Sequence, residues 1–139
     1  MKSIHPLLIL SFFALLLAGC SKDKSIMASD VANDNLLAGT WQVTYLMKDG
    51  IDHTTEFNDY KIEFADGGAV AAANSLLSVH GNWSVSEVQT TTSLSMNFQT
   101  AHDATEIFDE FAGTWVIETN SAAKMVLHHD DDYIYLERK

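Results

Sequence analysis

The side chains in this 139-residue chain best suited to chemistry are its single cysteine, six histidines and 19 Asp and Glu residues. Cys20 stands out by position, because it closes the run Leu17-Ala18-Gly19-Cys20. Met1, Lys2 and an almost unbroken apolar stretch over residues 6–19 precede it. A short positive region, an apolar region and small residues ahead of a cysteine make the layout of a bacterial lipoprotein signal. The thiol would form a thioether to diacylglycerol, and acyl chains, palmitate among them, would anchor the mature protein. The 14-residue apolar stretch is too short for a bilayer span, which needs about 20 residues. A lone cysteine also leaves no partner for an intramolecular disulfide.

No other constellation reads as catalytic. The mature histidines His53, His80, His102, His128 and His129 are scattered and lack the i, i+4 spacing of a helical zinc site. His128-His129-Asp130-Asp131-Asp132 pairs imidazoles with carboxylates, a set that suits divalent cations. It lacks the spaced acids and terminal Glu of an EF-hand loop, and reads first as a solvated acidic hairpin turn. The expectation is a protein that binds rather than catalyses, with no cofactor and no metal.

The full chain carries a formal charge of −11. Removing residues 1–19 takes away Lys2 and leaves seven Lys and Arg against 19 Asp and Glu, a net charge of −12. Such a surface repels nucleic acid, which is excluded as a partner. Three segments follow: a signal peptide at 1–19, the lipidated cysteine with a flexible tether at 20–35, and one domain at 36–139. A polar, aperiodic tether of that length would hold the domain roughly 20 Å from its anchor. Ser21 stands where an inner-membrane retention signal would place Asp. The expected location is therefore the outer membrane, on its periplasmic or surface face.

The domain is dominated by alternation of apolar and polar residues with period two. Leu94, Met96 and Phe98 alternate with Ser93, Ser95 and Asn97, and Ile134 and Leu136 alternate with Tyr133, Tyr135 and Glu137. Trp41, Val43, Tyr45 and Met47 fall on one face by the same rule. Eight strands are predicted, at 39–47, 55–65, 69–74, 80–87, 91–98, 113–120, 123–129 and 132–138. Turn residues such as Lys48-Asp49-Gly50 and Asp66-Gly67-Gly68 separate them. Short connections make neighbours pair as a meander, and eight such strands can close into an up-and-down barrel. One short helix is predicted near 103–111, where Ile107, Phe108 and Phe111 share a face that could cap the barrel.

All three tryptophans occur in one pattern: Gly39-Thr40-Trp41, Gly81-Asn82-Trp83 and Gly113-Thr114-Trp115, each followed two residues on by an aliphatic side chain. The physical reading is a tight crossing at Gly and an indole that closes the barrel; an aromatic ligand cage is the functional alternative. Here the chain resembles the lipocalins, whose first strand carries a Gly-x-Trp hallmark. It is more closely similar to small lipocalin-like lipoproteins of Bacteroidetes-type bacteria. They share the Gly-Thr-Trp start, a Phe-x-x-Gly-Gly turn (Phe64-Ala65-Asp66-Gly67-Gly68), a middle Gly-x-Trp and a tyrosine-rich last strand ending in Arg. The resemblance implies that Arg138 lies across Trp41 and ties the last strand to the first. It also implies a small apolar ligand in an all-β, eight-stranded antiparallel barrel.

The run over residues 69–73 is the one stretch of small side chains in an otherwise bulky wall. Ala69, Ala71 and Ala73, with Trp83, are therefore the expected ligand-binding residues. A second function class stands beside the binding module: a filled barrel that offers an acidic surface to an envelope protein. A roomy interior favours the first class and a packed interior the second.

Overall fold

The computed structural model describes residues 25–100 and 103–139. The expected signal peptide at 1–19, Cys20 and residues 21–24 of the expected tether lie outside the described residues. One-sided alternation has its expected consequence in eight strands that wrap around a single core. They are β1 (Thr40–Lys48), β3 (Lys61–Ala65), β4 (Ala69–Ala73), β5 (Ser78–Val88), β6 (Thr91–Phe98), β7 (Gly113–Asn120), β8 (Lys124–His129) and β9 (Asp132–Arg138). A two-residue β2 (Ile51–Asp52) forms a side arm on β1. From β3 to β9 each strand pairs antiparallel with the next, and β9 returns to β1 from Trp41↔Arg138 to Met47↔Tyr133. This is an up-and-down, eight-stranded closed barrel, whose closure leaves no long unpaired edge.

Helices cover both ends of the barrel. A 3₁₀ segment (Asp103–Asp109) occupies the predicted helical region; it inserts Phe108, and the turn after it inserts Phe111, both fully buried. The α-helix α1 (Ala28–Leu37) closes the opposite end and buries Ala32 and Leu36. It occupies most of the stretch expected as tether, which leaves residues 21–27 at most to play that part. Its signal in the sequence is faint: two small or medium apolar residues four apart, and no side-chain N-cap.

Two further differences have local causes. The predicted strand 55–65 splits into a 3₁₀ turn (Thr54–Phe57) and β3. Thr54 donates its N–H to Asp52 Oδ1 at 2.9 Å, and its Oγ1 accepts the N–H of Leu46 at 3.0 Å. These bonds curl the chain and bring Phe57 into the core. In β1 the register shifts between Val43 and Tyr45, a bulge at Thr44. It sends Leu46 inward and turns Tyr45 outward, where it rests on Tyr135 with ring centroids 4.9 Å apart. Tyr45 is thus not a core residue, contrary to the uninterrupted alternation expected for that strand.

Glycine is required by close approach at Gly81. A Cβ there would lie 1.9 Å from the Asn97 carbonyl oxygen, inside the β5–β6 ladder. The middle Gly-x-Trp pattern therefore marks a tight backbone crossing.

Candidate functional site

The barrel interior is where a lipocalin-like ligand would sit, and side chains fill it. Phe108 stands edge-on to Phe57 at 5.3 Å and to Tyr60 at 5.0 Å, and lies 5.0 Å from Phe98. Phe111 packs on Phe57 at 5.6 Å and on Phe98 at 5.7 Å. Below this aromatic layer Leu46, Ile62, Leu94, Met125, Leu127, Ile134 and Leu136 are fully buried and form one continuous cluster with it. An eight-stranded barrel is narrow enough for side chains alone to fill it.

Each indole N–H is satisfied by backbone. Trp41 Nε1 donates to Leu36 O at the end of α1 (3.1 Å), Trp83 Nε1 to Ala65 O (3.0 Å) and Trp115 Nε1 to Phe111 O (3.1 Å). The three Gly-x-Trp tryptophans thus fasten a helix, a strand end and the aromatic plug to the barrel. They are spread around its wall, with no common cage. At the closed end Arg138 lies over Trp41, its Cζ 5.2 Å from the ring centroid, and donates from Nη2 to Asn35 O at 2.9 Å.

The expected ligand-binding alanines point elsewhere. The inward residues of β4 are Val70 and Ala72, whereas Ala69 is exposed and Ala71 and Ala73 line a shallow outer groove with Asp59, Lys61 and Glu63. The pairings Glu63↔Ala71 and Lys61↔Ala73 fix this phase, because β3 alternates strictly and its charged residues face water. Trp83 does face inward, but it packs edge-on against Phe64 at 5.4 Å and borders no interior cavity with those alanines. The four residues do not form one pocket. Phe57, at the end of the 3₁₀ turn that replaces the start of the predicted strand 55–65, is instead a centre of the interior packing.

A larger concavity of about 720 Å³ lies outside the barrel, at its mouth. Lys48 to Gly50, Gly113 to Trp115 and the turn His129 to Asp132 line it. Asp49 N–H donates to Asp132 Oδ1 at 2.8 Å, joining the β1–β2 and β8–β9 turns. Lys48 Nζ reaches Glu110 Oε2 at 3.4 Å and Glu110 O at 3.3 Å, which ties the plug to the rim. The concavity is acidic, lined by Asp49 and the Asp130–Asp132 turn with Lys48 as the one Lys or Arg in its lining, and Asp52, Asp109 and Glu110 add charge at the same end. Among the described residues no three of His, Cys, Asp and Glu converge as metal ligands. At the same end the Asp52 carboxyl is held below its usual value of 3.8, first by the Thr54 hydroxyl and then by the Thr54 N–H.

No family model and no curated protein matches this chain. Two solved structures resemble it. One is a lipocalin-like protein from Bacteroides uniformis, 18% identical, with a TM-score of 0.49 over 75% of this chain and 99% of that one. The other is an uncharacterized protein from Bacteroides eggerthii, 14% identical, with a TM-score of 0.52 over 73% of this chain and 98% of that one. At such identities the second likeness shows shared architecture, in agreement with the strand order. The chain is an eight-stranded, closed antiparallel barrel protein.

Proposed function

We propose that this protein is a lipid-anchored component of the bacterial envelope whose filled barrel is a scaffold presenting its acidic mouth to another envelope protein. Filling of the interior by Phe57, Tyr60, Phe98, Phe108 and Phe111 carries this reading. A small apolar molecule would have to displace that layer, at the cost of the contacts that hold it. The reading takes the anchor from the Leu17-Ala18-Gly19-Cys20 signal and assigns the protein binding, not catalysis.

A photo-crosslinking amino acid placed at Asp131, on the mouth, and at Ser95, on the barrel wall, tests the partner in intact cells. One defined envelope protein joined through position 131 and not through 95 is the expected result. Equal, diffuse crosslinking from both positions would sink the scaffold reading.

A further inference from the structure

The exposed large apolar side chains are not spread evenly. Ile26, Met27, Val31, Leu37 and Val88 lie at the end closed by α1, while Ile51 and Leu76 sit apart at the mouth. Ser29 N–H donates to Glu87 Oε2 at 3.0 Å, which brings the start of α1 beside the tip of the β5–β6 hairpin and Val88. Met27 and Val31 are four residues apart, the spacing that puts side chains on one side of a helix. A grouping of this kind on an otherwise charged chain marks an interaction surface.

Chain length and charge say what covers it. Five residue steps lead from Cys20 to Ser25, and at about 3.5 Å each they reach at most about 18 Å. The closed end therefore cannot leave the neighbourhood of a lipid attached at Cys20. Lys22 and Lys24 lie in that short link, and Lys124, Arg138 and Lys139 belong to the same end of the barrel. The acidic rim sits at the opposite end, farthest from anionic headgroups. Asp23 in the link and Asp30, Asp34, Asp66 and Glu87 at the closed end offset these cations, so the contact is mainly apolar and shallow.

We infer that Ile26, Met27, Val31 and Val88 form a membrane-contact patch that rests the closed end of the barrel on the lipid surface and points the acidic mouth away from it. This rests on the reading of Cys20 as the lipidated residue.

The mature lipidated chain, carrying Val88→Cys or Leu76→Cys, is labelled with an environment-sensitive dye and reconstituted into vesicles of phosphatidylethanolamine with a minority of phosphatidylglycerol. The Cys20 thiol is consumed by lipid, so only the new cysteine takes dye. The expected result is blue-shifted emission at position 88, quenched several-fold more by nitroxide-headgroup lipid than emission at position 76. Adding Met27→Asp to Val88→Cys should abolish that difference while the protein still floats with vesicles; quenching that persists would overturn the patch. Equal, weak quenching at both positions on floating protein overturns the docking and leaves the anchor intact. Protein that fails to float overturns both.

Discussion

Arg138 closes the barrel by lying over Trp41, with its guanidinium carbon 5.2 Å from the indole centroid and Nη2 bonded to Asn35 O. One side chain thus joins the last strand, the first strand and the helix that covers the closed end. A cation–π contact of this sort contributes about 0.5–2 kcal/mol, and its loss also leaves the Asn35 carbonyl without its charged donor. Arg138→Ala should lower stability by about 1–3 kcal/mol in urea unfolding, and Lys139→Ala by a few tenths at most. Equal effects would remove this closure from the account.

Gly39 stands in the path of the same arginine. A Cβ there would meet Arg138 Cδ at 3.1 Å and Nε at 3.3 Å, contacts that a flexible side chain can relieve. Gly81 faces immovable backbone instead. Gly81→Ala should therefore destabilise the domain far more than Gly39→Ala, by several kcal/mol against about one. Thermal denaturation of the two variants side by side decides it.

Phe108 is the keystone of the aromatic layer and is fully buried. Phe108→Ala should cost about 3–5 kcal/mol and leave an apolar void. If the variant remains folded, it should bind xenon or benzene, which the parent protein should not. Comparable uptake by the parent would show room that the packing denies.

Asp52 offers a pH test. Its carboxyl is held below 3.8 in the folded chain, chiefly by the Thr54 hydroxyl. A carboxyl depressed on folding lends stability above the unfolded value, and that stability is lost as pH falls through the folded one. The Asp52 carboxyl carbon should titrate by NMR with a midpoint below 3.8, and Thr54→Val should move it upward. An unchanged midpoint would detach the shift from Thr54.

Much of the barrel is legible in the sequence, because each strand has one wet face and its alternation survives any reading. What misleads is sequence that is apolar at both phases. Leu46 and Met47 are equally suited to a core, so only the Thr44 bulge decides that Leu46 enters it. The run Ala69–Ala73 has no polar residue to mark a face, and its phase is set by Glu63 and Lys61 on the neighbouring strand. Val70, the one bulky side chain in that run, was the available clue to the inward face. Helix α1 was hidden by polar composition, since Ala32 and Leu36 are a thin apolar stripe. The closing pair Trp41 and Arg138 was visible only through pattern resemblance joined to strand phase. The mouth, built from three separate turns, has no local signature.

Native mass spectrometry of the protein released gently from its own envelope tests the filled-scaffold account most directly. The predicted spectrum shows a chain beginning at Cys20, carrying its covalent acyl chains and no non-covalent small molecule. A stoichiometric apolar adduct that dissociates on activation would contradict it, because the interior lined by Phe57, Phe98, Phe108 and Phe111 would then be a ligand chamber.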